Sequence, residues 1–193
     1  MAAPRRRPVS TSDEAQPAAP PGWSYNPSAW SQRWWIAGVA GLGCLVAGYL
    51  ALYQFDMIGS VWEPWFGAGS KIVLRSPLSR VLPIPDAALG ALAYLLDLVT
   101  GLIGGPDRWR TMPWMVILFG IAVGPLGAVS VLLVIAQPVL LNAWCSLCLF
   151  SALLSLIMIG PAMDEVLASL QHLRRVSERR ESVWTALWHG TGC

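Results

Sequence analysis

Charge is scarce in this chain. Aspartate, glutamate, lysine and arginine make up 12% of its 193 residues, about half of what a soluble domain carries. A surface so poor in charge cannot face water all round. With 55% hydrophobic residues and a mean hydropathy of +0.53, the chain reads as an integral membrane protein. The net charge of +2 is too small to hold a polyanion, and no basic patch is interleaved with base-stacking aromatics, so no nucleic-acid partner is expected. Cysteine is scarce too. Four residues do not make a disulfide framework in so apolar a chain. The two histidines, His172 and His189, have no partner ligands for a metal and are expected as solvated surface residues. No secretory signal is expected either, since the first apolar run is too long for a signal core and lacks a clear cleavage site.

What the chain does have is long apolar runs. Residues 1–30, rich in Pro, Ala, Ser and Arg without an apolar period, read as a disordered cytoplasmic tail. Residues 31–163 read as a four-helix transmembrane domain. Trp34 to Tyr53 is uncharged and long enough to cross a bilayer, which takes about 20 residues. Cys44, in mid-span, reads as a small buried apolar residue. Ala87 to Gly105 is the second span and contains one acid, Asp97. Protonation, a bond to a neighbouring helix or local water could accommodate it, and a structural role is preferred to a proton relay. Pro113 opens the third span, which runs to about Ala136, with Gly120 and Gly124 as a small-residue packing face and Pro125 as a kink. Gln137-Pro138 begins a short turn, and the fourth span ends at Gly160-Pro161. Several of the eleven tryptophans lie at the ends of these runs (Trp34, Trp35, Trp109, Trp114, Trp144), where indoles anchor at headgroup level. In residues 164–193, Val166, Leu167, Leu170, Leu173 and Val176 recur at helical spacing opposite Arg174, Arg175, Arg179 and Arg180. That pattern predicts an amphipathic helix on an anionic lipid surface.

Topology follows from cations. Unpaired arginines sit at both ends and in the turn Pro106–Thr111, whereas the 54–85 connection balances Lys71, Arg75 and Arg80 against Asp56, Glu63 and Asp86. Both termini are therefore expected in the cytoplasm of a multi-pass protein of the cell's inner (plasma) membrane. The 54–85 connection then faces outward. It carries Trp62, Trp65 and Phe66, then Gly67-Ala-Gly69-Ser70, and a short helix is expected to start at Ser76 as N-cap with Pro77 as first helical residue and to run to Leu82. A connection of this length suits a lid or binding role, or a surface loop whose aromatics rest on headgroups.

On the same outer side the fourth span opens with Asn142-Ala-Trp-Cys145-Ser-Leu-Cys148. Two thiols three residues apart at a helix start meet unpaired N–H groups and the positive end of the dipole, which favour thiolate. A zinc site would need two more ligands. A c-type haem site would need a histidine where Leu149 stands. A redox dithiol needs only the pair and access, and two chance cysteines are the bland alternative. Cys145, nearer the water, suits exchange with an outside thiol. Cys148, one turn deeper, suits a quinone arriving from lipid.

These residues carry a resemblance. The stretch Val73-Leu-Arg-Ser76-Pro-Leu-Ser, then Leu89-Gly90-Ala-Leu-Ala-Tyr94, and the Cys145/Cys148 motif resemble the bacterial vitamin K epoxide reductase family over about residues 30 to 165. The resemblance implies an all-α, four-transmembrane-helix bundle around a quinone pocket, with a short helix in the first outer loop. It implies electron transfer from a thioredoxin-fold disulfide carrier through Cys145 and Cys148, as the catalytic pair, to ubiquinone or menaquinone, without metal or haem. Ser76, Asp86, Trp65, Phe66 and Trp144 are the expected quinone-pocket residues. In one respect the chain departs from the family pattern. The family carries two shuttle cysteines in the first outer loop, and here Ser70 and the Trp62–Trp65 region stand in their place. Cys44, inside a span, and Cys193, on the inner side, cannot substitute. A membrane thiol–quinone oxidoreductase is the favoured expectation. The alternative is a diverged quinone-binding or scaffold subunit of a larger membrane complex.

Overall fold

The computed structural model describes residues 19–80 and 83–190, and among them there are helices and no strands. Four long helices form the body: α1 (Trp30–Gln54), α3 (Asp86–Leu102), α5 (Pro113–Leu140) and α6 (Ser146–Glu178). Short elements join them: α2 (Gly69–Leu74), a 3-10 turn (Pro77–Arg80), α4 (Arg108–Thr111) and α7 (Val183–His189). Helix α1 packs on α3 and α6, and α5 packs on α6 and α3, closing a four-helix bundle. Its centre is apolar, built from Ile36, Ala40, Tyr94, Phe119, Leu154 and Met158. Three of the helices, α1, α5 and α6, are long and apolar enough to cross a membrane. The second expected span is the 17-residue α3, which at about 1.5 Å per residue is roughly 25 Å long.

Two expected breaks are absent. Helix α5 runs through Pro138 to Leu140, and α6 runs through Pro161 to Glu178. Each proline removes one main-chain bond. In apolar surroundings the remaining ladder has no water competing for it, so the helix continues. The basic segment after Pro161 is accordingly the last turns of α6. Its apolar positions Leu173 and Val176 are covered by Ala186 and Leu187 of α7 and by Ile117 of α5, while Leu167 and Leu170 are exposed. The small-residue face of α5 also differs from the expected one. A Cβ at Gly120 would lie 2.3 Å from Val166 and one at Gly127 2.4 Å from Ile159, whereas Gly124 faces open space. The contact with α6 thus recurs after two turns.

Residues 19–29, expected within the disordered tail, lie along α6. Trp23 donates to Gln171 at 3.0 Å and Tyr25 to Asp164 at 2.5 Å, and Ser28 is fully buried. The expectation for residues 1–18, the role of Cys193 and the end of the loop helix at 81–82 lie outside the described residues. Trp34 and Trp35 are exposed as membrane anchors require, but Trp109 is buried. It meets His172 edge-on at 5.6 Å, so His172 is a half-buried, packed residue and not a fully solvated one.

At the end of the bundle away from the cysteines, two arginines are fully buried. Arg33 donates to the carbonyls of Gly101, Ile103 and Gly104. Arg108 donates to those of Thr100, Gly101 and Ile103 and forms a buried pair with Glu165, which also accepts from Ser28. The last carbonyls of a helix have no partner within it and carry its negative pole. Both cations therefore cap α3 from outside its own sequence.

Candidate functional site

The turn between α5 and α6 places the cysteines. Asn142 takes a left-handed conformation, with φ 47°, which asparagine tolerates better than most residues. The side chain of Gln137, buried on α5, accepts the Cys145 N–H at 2.9 Å. Cys145 is the N-cap of α6, and its sulfur accepts the Cys148 N–H at 3.1 Å. The two sulfurs are disulfide-bonded, with Cα atoms 5.2 Å apart. Cys145 is 0% exposed, contrary to the expectation that it stands nearer the water, because α2 lies over it. Val73 packs against Cys145 and Ala143. A Cβ at Gly69 would fall 2.0 Å from the Trp144 carbonyl, so only glycine lets α2 approach this closely.

Cys148 is half-buried and lines a cavity of about 670 Å³ between the four long helices. That volume suits a ring-sized ligand. The wall is mostly apolar, with Pro125, Leu126 and Val129 from α5 and Ala47 and Leu50 from α1. A few polar groups converge on it: Ser79, Asp86, Tyr94, Ser130, Gln137 and Ser151. The Tyr94 hydroxyl donates to the Ser151 carbonyl at 2.5 Å and shares a bond with Ser155, which in turn meets Ser130 at 3.0 Å.

Of the expected pocket residues, Asp86 lies on the wall. It accepts from Gln54 at 2.6 Å and sits in the first turn of α3, where the dipole favours a carboxylate. Ser76 is not on the wall. It is buried beneath the loop and bonds the Val73 carbonyl at 2.7 Å, and Ser79, three residues on, takes the wall position. Trp65, Phe66 and Trp144 do not line the cavity either. Seating α2 on the Trp144 backbone turns Phe66 and Trp144 outward as a pair with centroids 6.3 Å apart, and Trp65 is 77% exposed. Asp97 is fully buried, and neither carboxylate oxygen has a hydrogen-bond partner among the described residues. The bond to a neighbouring helix considered for it is thus not made.

Sequence reading passed over Glu63. Its carboxylate accepts from the Ser70 hydroxyl, from both the N–H (3.1 Å) and the hydroxyl of Ser146, and from the N–H groups of Trp65 and Phe66. Desolvation pushes its pKa up, but the bonds from Ser146, Ser70 and Trp65 outweigh it and hold the value at about 2. A depressed folded-state value means the contribution to stability is whole above the ordinary carboxylate range and is lost as pH falls towards 2. The thermal-stability advantage of wild type over Glu63→Gln is expected to be constant from neutral pH to about 5 and to vanish between about 4.5 and 2, measured by unfolding in detergent. The signal available in the sequence was an acid seven residues before Ser70, within the connection that precedes α3.

The vitamin K epoxide reductase family model matches residues 34–162. No curated protein and no solved structure matches the chain. The matched stretch is more than half of the sequence and takes in the loop, the cavity walls and the cysteine pair. The chain belongs to the vitamin K epoxide reductase family.

Proposed function

We propose that this membrane protein is a thiol–quinone oxidoreductase that forms disulfide bonds in a partner. One observation carries the reading: Cys148 opens onto a cavity wide enough for a quinone ring, while its disulfide partner Cys145 lies under the loop at the head of α6. A thiolate of a reduced partner dithiol, of thioredoxin-fold type, attacks the Cys145 sulfur and expels Cys148 as thiolate. The partner's second thiol then displaces Cys145, leaving an oxidised partner and a reduced pair. Cys148 adds to the quinone ring, and Cys145 attacks the Cys148 sulfur, reforming the disulfide and releasing hydroquinone. Two electrons and two protons pass from the partner dithiol to the quinone. The Cys148 N–H favours charge on the Cys145 sulfur. The Tyr94 hydroxyl and Asp86 are among the polar groups on the cavity wall that a bound quinone would meet.

In this reading α3 also crosses the membrane, as the second of four spans. Its outward face, Leu92, Leu95, Leu96 and Val99, is exposed and apolar, as lipid contact requires. Both termini then lie in the cytoplasm and the loop faces outside. A second reading, a quinone-binding or scaffold subunit without turnover, draws on the complete enclosure of Cys145. Anaerobic reduction of the purified protein, followed by addition of a short-tailed quinone, separates the two. The oxidoreductase converts both thiols to a disulfide that resists alkylation and releases one hydroquinone per disulfide formed. Thiols that stay alkylatable with excess quinone would leave only the binding subunit.

A further inference from the structure

Glu63 is the tie between the first loop and the head of α6. On the loop side it holds Ser70 and the Trp65 and Phe66 amides. On the helix side it holds the amide and hydroxyl of Ser146, the residue next to Cys145. The Ser146 amide is one of the first-turn donors that a helix leaves without an internal partner, and a carboxylate is the strongest acceptor a side chain can bring to it. Beyond this tie, α2 closes on Cys145 through the Gly69–Trp144 approach and the Val73 contact. The roots of the loop are fixed independently. Val61 and Leu74 pack on Leu50 and Tyr53, and the Trp62 amide donates to Tyr49 at 3.1 Å. The stretch between those roots is thus a flap with one polar clasp.

We propose that Glu63 is a positioning residue that clasps this flap shut over Cys145, so that an incoming thiol reaches the Cys145 sulfur only when the Glu63–Ser146 bonds open. The proposal rests on the oxidoreductase reading for its purpose, but its test needs neither quinone nor partner. Cys148 also packs against the Val73 and Leu74 end of α2, but unlike Cys145 it is half-buried and opens onto the cavity between the helices. The clasp therefore separates access to the two sulfurs: the partner's entry is gated and the entry from the cavity is open.

The test is the rate at which a charged, water-soluble maleimide labels Cys145 in purified, reduced C44A/C148S/C193A protein, followed against pH up to the plateau where the thiol is fully ionised. The plateau reports access, and the midpoint reports thiol acidity. Glu63→Gln is expected to raise the plateau rate about tenfold or more, the scale of losing a charge-assisted hydrogen bond. Ser70→Ala, which removes one loop-side bond and keeps the carboxylate, is expected to raise it less. In C44A/C145S/C193A protein, labelling of Cys148 by a lipid-soluble maleimide is expected to stay within about twofold in either variant. A plateau unchanged by Glu63→Gln, with or without a shifted midpoint, overturns the clasp. So does a parallel rise at Cys148, which would mean general loosening. If Glu63→Gln does not accumulate in membranes, Ser70→Ala is read by the same criteria, and an unchanged Cys145 plateau in it overturns the proposal. Any of these failures leaves the quinone reading standing, because quinone-dependent oxidation of the pair is measured separately.

Discussion

Cys148→Ser will abolish thiol-driven quinone reduction, with a loss of roughly 10³-fold or more, as expected when the reacting atom itself is removed. A serine hydroxyl cannot share a disulfide, so the variant cannot store the two electrons taken from a donor. Cys145→Ser will lose turnover to the same extent, but the two variants part company in ligand binding. Cys148 is on the cavity wall and Cys145 is not. Quinone affinity, measured by quenching of tryptophan fluorescence or by calorimetry, will therefore be unchanged in Cys145→Ser and shifted in Cys148→Ser. Turnover retained in either variant with a reduced dithiol donor would end the oxidoreductase assignment. Tolerance of alanine at both positions would favour the binding subunit.

Glu165→Ala will destabilise the bundle by about 3–5 kcal/mol, the usual consequence of leaving a buried charge without its partner. Glu165 and Arg108 each keep 1% of their side-chain surface, so water cannot take over solvation of the guanidinium. For a domain of this size the loss corresponds to roughly 10 °C in Tm. Glu165→Gln, which keeps an acceptor for Arg108 and Ser28, will lose less. The double replacement Arg108→Met with Glu165→Leu will not recover wild-type stability. Arg108 also serves the Thr100, Gly101 and Ile103 carbonyls, which methionine leaves bare. A Glu165→Ala protein within about 1 kcal/mol of wild type would show that the pair carries little of the fold.

The parts of this structure readable from sequence are those written in local pattern. Apolar run length gave the long helices, Pro113 marked the start of α5, and a cysteine with a second one three residues on marked the start of α6. Local pattern misled where tertiary surroundings override it. Pro138 and Pro161 read as breaks, yet each sits inside a helix that continues past it, because a proline removes only one bond of the ladder. Apart from Asp86, which is an expected pocket residue, the cavity's polar groups are hidden for a different reason. Tyr94 comes from α3, Ser130 and Gln137 from α5 and Ser151 from α6, and each looks ordinary within its own segment. Glu63 was counted only as one of the charges balancing a loop. Its importance depends on a contact with Ser146, 83 residues away, which no periodicity encodes. The aromatics Trp65, Phe66 and Trp144 are expected pocket residues, but they lie on the outside, Trp65 and Phe66 on the flap and Trp144 on the turn before α6.

The burial of Arg33 and Arg108 changes what a charge count along this chain means. Arg108 lies in the Pro106–Thr111 turn, one of the cationic segments expected to hold the termini to one side of the bilayer, and Arg33 lies in the first turn of α1. Their guanidinium groups are instead spent on peptide oxygens at the end of α3, so lipid phosphates compete for neither. A helix of roughly 25 Å falls short of a hydrocarbon layer about 30 Å thick. In the four-span reading proposed above, the carbonyls at the short end of α3 are already satisfied by the protein's own arginines, so the bilayer there meets no bare helix end.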